Sequence, residues 1–129
     1  MTLSDQQRLA LWAADCAARV QPAFIAQAPD DPRPQGAIDL CRAWAKGEIK
    51  VGPARAAAVA AHAAARAVGD PAAIAAARAA GHAAATAHMS GHARHAAAYA
   101  LKSVTASQGP AAAQAEADWQ SRHRSAVRD

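Results

Sequence analysis

His88, His92 and His95 stand at i, i+4 and i+7, with Tyr99 at i+11. On one continuous helix that spacing brings all four side chains to one face. Imidazoles so arranged can ligate zinc or nickel if a fourth donor arrives from elsewhere, and His62, His82 or Cys41 could supply it. No HExxH run occurs, no carboxylate lies nearby in sequence, and Ser90-Gly91 falls between His88 and His92. Helix continuity there stays open. The plainer reading is favoured: imidazoles partly buried among alanines and bonded to backbone carbonyls or Asp side chains.

Two further stripes carry charge. Arg55, His62 and Arg66 fall at i, i+7 and i+11, and Arg78, His82 and Thr86 at i, i+4 and i+8. Packed side by side, two such helices would converge their arginines and histidines on one cleft able to hold a carboxylate or phosphate. Bracing is the plainer alternative, with Arg66 and Arg78 reaching Asp31, Asp39 or Asp118. Asp31 and Arg33 form a second polar candidate, but no Ser-His-Asp or Cys-His logic accompanies them. Phosphate-binding glycine loops are absent from the sequence. Glu116 and Asp118, two apart on a helix, point different ways. An enzyme is the least favoured class, no catalytic residue is expected, and no cofactor is expected unless the histidines hold zinc or nickel.

The elements that must position these groups are helices. From Pro53 to Val104 the chain is alanine almost throughout, the residue of highest helix propensity. Ser4 with Gln7 is a capping-box pair, predicting a helix from about Asp5 to Val20, with Leu9, Leu11, Trp12, Cys16 and Val20 on its apolar face. Pro22 ends or kinks it, leaving at most a further turn at Phe24-Ile25. Asp30 or Asp31 is the expected cap of a helix over about residues 35–46, closed by Gly47. Further helices are expected from Pro53 to Gly69, from Pro71 to about Met89, on to about Thr105, and from Ala111 to Arg124. Gly69-Asp70-Pro71 is the strongest local signal, a C-capping glycine, an N-cap and a proline at N1. The whole is one all-α domain over residues 1–129, a bundle of five or six helices with short Gly/Pro-punctuated loops.

The chain has 129 residues, 53% of them hydrophobic but only 4% aromatic, so the core must rest on small side chains and closely approaching helices. Trp44 and Trp119 are expected to be largely buried in it. The net charge of +4 is dispersed, without a long basic tail or a nucleic-acid-binding motif, so no nucleic acid is expected. Cys16 and Cys41 lack CxxC spacing and read as small buried hydrophobes in a reducing compartment. No apolar run approaches the length of a membrane span and no leader is evident, so the expected location is cytoplasmic.

Several runs together carry a family resemblance. They are Asp31-Pro-Arg33-Pro34, Ala37-Ile38, Arg42-Ala-Trp44-Ala-Lys-Gly47-Glu48, Ala61-His62-Ala-Ala-Ala-Arg66, the stretch from Ala77-Arg78 through Gly81-His82, Thr86 and Ala-His88-Met89, Ala98-Tyr99-Ala100-Leu-Lys102, and Trp119-Gln120. Over about Leu9 to Gln120 the chain resembles the Imm5-like family of bacterial immunity proteins. The resemblance implies a small, cytoplasmic helical protein that neutralises a cognate toxin by stoichiometric association, as in toxin-antitoxin pairs. It places Asp31, Arg33, Pro34, His62, Arg66, Arg78, His82, His88, His92 and Tyr99 at family-motif positions, with His95 a local variation. The expected partner is thus a toxin protein, with a homodimer left open. Because immunity proteins against basic nucleases are commonly acidic, the positive charge argues against a nuclease target. The alternative function is a metal- or small-anion-binding helical protein using the His/Arg cluster.

Overall fold

The computed structural model describes residues 2–126, and every regular element among them is a helix: α1 Asp5–Ala18, α2 Gln21–Gln27, α3 Arg33–Ala45, α4 Val51–Arg66, α5 Pro71–Ala85, α6 His92–Gln108 and α7 Pro110–Ala126. Seven helices stand where five or six are expected from the sequence. Pro22, at the second position of α2, starts a separate helix because it needs no backbone donor there, so Phe24-Ile25 belongs to two turns rather than one. The chain also leaves helix between Ala85 and His92, where 3-10-like bonds such as His88 N to Ala85 O (3.0 Å) close successive turns.

Local chemistry explains most boundaries. Ser4 Oγ accepts from Gln7 N (3.1 Å) while the Gln7 side chain accepts from Ser4 N (2.7 Å), a complete capping box. Asp70 accepts from Ala73 N (3.0 Å) and fixes the start of α5. Gly47, at φ 79°, ends α3 in the left-handed region, and Glu48 N donates back to Ala43 O (2.9 Å). The cap of α3 departs from expectation. Pro32 occupies it, and Asp31 turns instead to the Arg33 backbone N–H (3.1 Å) and guanidinium.

α5 is the central helix. Ten of its fifteen residues are buried, nine of them alanines and one Gly81. Its neighbours are α4 and α6, with α1, α2 and α3 packed against it as well. The largest side chains fully out of solvent are Phe24, Ile38, Thr86, Pro34, Cys16 and Cys41. Trp12 is buried in the core, and Trp44 and Trp119, expected to be largely buried, are partly buried and pack against it. Cys16 and Cys41 are free and buried, and burial pushes both thiols up to about 12. Cys41 Sγ donates to Ala10 O (3.3 Å) and Ala83 O (3.2 Å), bridging α1 and α5.

Candidate functional site

The side chains that converge come from α4, α5 and α6. His62 lies on α4 directly over Gly81 of α5: a Cβ built at Gly81 would stand 2.6 Å from His62 Nε2. A mid-helix glycine costs about 1 kcal/mol against alanine, and here its missing side chain is the space the imidazole fills. Arg78, one turn before His82 on α5, donates from its guanidinium to His62 Nδ1 (2.9 Å). That bond makes Nδ1 an acceptor, so the proton of neutral His62 is on Nε2.

His82 is the hub. Its ring lies 4.9 Å from His62, edge on, and 5.2 Å from Tyr99, stacked within 10° of parallel. His92, at the first position of α6, meets it Nδ1 to Nδ1 at 2.9 Å, and His95 stands one turn further at 5.3 Å between ring centroids. In the His82–His92 bond one ring donates and the other accepts, so at least one of the two is neutral. Lys102 lies over the outer face of Tyr99 at 4.6 Å.

The electrostatics of the cluster are one-sided. Burial, then the charges of His62, His92, His95 and Arg78, lower the pKa of His82 from 6.5 to about 4. His62 is lowered by burial and by Arg78, Arg66 and His92; His92 is lowered by burial, His95 and His88. No carboxylate is among the groups acting on any of the three. The imidazoles are therefore neutral at neutral pH, held so by desolvation and by one another.

Of the residues singled out from the sequence, His62, Arg78, His82, His92, His95 and Tyr99 meet, and Arg66 is close enough to His62 to bias it. Arg55 does not join them: it is exposed on α4, about 10 Å further along the helix axis from His62. Asp31 and Arg33 pair with each other (2.7 Å), and the guanidinium holds the Asp31 carboxyl below its usual range. His88 is exposed in the Thr86–Gly91 link and so is not on the helix that carries His92 and His95; the four-member face of one continuous helix does not form. Among the described residues no group of three or more His, Cys, Asp or Glu is arranged to hold a metal ion.

The expected bracing by Arg66 and Arg78 is not found. Neither has a carboxylate partner among the described residues, and the fastening is done elsewhere. Arg19 donates to Glu116 (2.6 Å), while Asp15 accepts from Arg42 (2.9 Å) and bonds His123 (2.7 Å). The bracing roles of Arg19, Arg42 and His123 have no signal in a helical wheel of α1, α3 or α7 alone. Gly81 is singled out in the sequence only within the family-like run, although a lone glycine in an alanine helix is itself a sign of close approach. Two open clefts, of about 550 and 680 Å3, run along α7; Asp5 pairs with Arg8 in one wall and Arg19 with Glu116 in the other, while Arg124 and Arg122 also line them. The α4–α5–α6 face differs in gathering imidazoles and arginines around one point with no carboxylate acting on them.

The described residues form an all-helical fold that gathers a cation-rich polar cluster on one face. Residues 1–126 match the Imm-5 like putative immunity protein family, nearly the whole chain, and the protein belongs to that family. No curated protein and no solved structure gives a significant match to the chain. No helix among the described residues is long and apolar enough to cross a membrane.

Proposed function

We propose that the protein is an immunity-type binding protein that acts in the cytoplasm and neutralises a cognate toxin by forming a stoichiometric complex. The observation that carries this reading is the family match over residues 1–126. The α4–α5–α6 face supports it as the contact surface, because it presents Arg66, Arg78, His92, His95 and Lys102 without a carboxylate to neutralise them. The test is to read the gene beside it and, where that encodes a toxin, to co-express the two. Restored growth and a complex of fixed stoichiometry on size exclusion are expected; a toxin left fully active by an equimolar amount of the protein would sink the reading. A zinc or nickel site is the weaker alternative, since His88 is parted from His92 and His95. A thermal melt of chelator-stripped protein with and without zinc checks it, and no metal-dependent rise is expected.

A further inference from the structure

We infer that the α4–α5–α6 cluster is a proton-coupled anion site: it takes a carboxylate or phosphate group together with protons on the imidazoles of His82 and His92. The argument begins with hydrogen bonds. Arg78 has His62 Nδ1 as its acceptor, and His82 has His92 Nδ1 opposite its own. Both bonds exist only while an imidazole nitrogen lacks its proton. Protonating these rings turns each acceptor into a donor, leaving N–H groups facing N–H groups and the Arg78 guanidinium without its partner. An anion in the cluster reverses the balance, because its oxygens accept from every one of these donors at once.

Among the described residues the surroundings offer no internal substitute. Facing the cluster are His62 and Arg66 from α4, Arg78 from α5, His88 from the link, and His92, His95, Tyr99 and Lys102 from α6. On the helices and loops packed around them, Asp5 is bound to Arg8, Asp15 to Arg42 and His123, Asp31 to Arg33, and Asp39 to Gln35. Asp70 caps α5, Glu116 holds Arg19, and Asp118 bonds Gln114. Asp30 and Glu48 are exposed on loops. Burial and the neighbouring positive groups hold the proton affinity of His62, His82 and His92 low. Binding and protonation then strengthen each other by linkage: the anion raises the imidazole pKa, and acidification tightens the anion, by up to about tenfold per pH unit for each proton taken up.

A carboxylate occupant would be an acidic side chain of the toxin, an assignment that rests on the proposed association; the anion site itself does not. The test uses the whole chain and sulfate, whose charge is constant from pH 5 to 8, against sodium chloride of equal ionic strength. Sulfate is expected to bind at least tenfold more tightly at pH 6 than at pH 8, and to shift the ring resonances of His82 and His92 in imidazole NMR spectra. His92→Gln should abolish the pH dependence, and His123→Gln, away from the cluster, should retain it. If His92→Gln loses its fold, the ring resonances of the unmodified protein still decide. No sulfate-dependent shift at His82 and His92, or equal affinity at both pH values, overturns the inference. Acetate competing with sulfate points to a carboxylate occupant and failure to compete to a phosphate-like one; both support the site. Toxin binding that ignores sulfate and His92→Gln removes the toxin carboxylate as occupant, whereas sulfate binding without toxin binding removes only the immunity reading.

Discussion

His123 and His82 are both partly buried imidazoles, yet they are held in opposite ways. His123 lies on the α7 flank, stacked on Trp119 at 4.6 Å and bonded to the carboxylate of Asp15, which also holds Arg42. Arg19 covers the other ring there, 3.8 Å from the Trp119 centroid, while gripping Glu116. Asp15, Arg42, His123, Arg19 and Glu116 on that flank are joined in opposite-charge contacts. His82, on the α4–α5–α6 face, has only other imidazoles, a tyrosine ring and arginines around it. The first arrangement is finished and fastens helices. The second lacks its negative partner, and what a fold leaves unpaired at moderate burial is where a ligand is expected.

Both regions rest on one alanine core, so the largest effects should come from beneath and blur the distinction. Phe24→Ala, at a site 1% exposed, is expected to cost about 3–5 kcal/mol in denaturant melts, while Trp44→Ala and Trp119→Ala, at partly buried sites beside the core, should cost less. Equal losses at all three positions would mean that the rim carries as much packing as the centre.

The pH dependence separates the two regions next. His62, His82 and His92 have folded-state pKa values below the unfolded 6.5, so the unfolded chain binds more protons as the solution acidifies. Their effect on stability is absent above pH 6.5 and grows as pH falls toward about 4, the folded value of His82. The loss should total about 2 kcal/mol once solvent screening is allowed for. His82→Gln should flatten that slope between pH 6.5 and 4; an unchanged slope would show that the cluster does not titrate as a unit.

A smaller effect is expected from the finished flank. Asp15→Asn removes the charge shared by Arg42 and His123 and should cost about 1 kcal/mol at low salt, with the difference shrinking at high ionic strength. Salt-independent loss would mean that packing of the side chain, not its charge, matters there.

The smallest net effect is predicted for Gly81→Ala. The gain in helix propensity, about 1 kcal/mol, should roughly offset displacement of the His62 ring. Stability then changes little while the Arg78–His62 bond is lost, which imidazole NMR would read directly. A ring that stays in place would show that α4 and α5 separate instead.

How much of this was legible follows the physics of each residue. Ser4-Gln7, Gly47 and Asp70-Pro71 act through their own backbone neighbours, and they could be read without knowing the fold. The break before His92 was legible only as an open alternative at Ser90-Gly91; its start at Thr86 could not be read, because no proline marks it and a strongly helical alanine run precedes it. The stripes of Arg78/His82 and His62 gave the right partners once α4 and α5 were set side by side. That His92 and His95 would join them depends on α6 folding back, a tertiary event without a local signal. The same holds for Trp12, Trp44 and Trp119: which indole is enclosed and which packs against the core from outside depends on the tertiary arrangement.

The six-residue link between α5 and α6 also determines when the cluster can assemble. Arg78, His82, His92, His95 and Tyr99 lie within one helical hairpin, and His62 is contributed by the helix just before it. Contacts between segments so near in the chain close short loops and form rapidly. On a chain emerging from the ribosome N-terminus first, all six residues have been made before α7 begins at Pro110. The residues of the cluster are thus all encoded upstream of the helix that fastens the α1 flank.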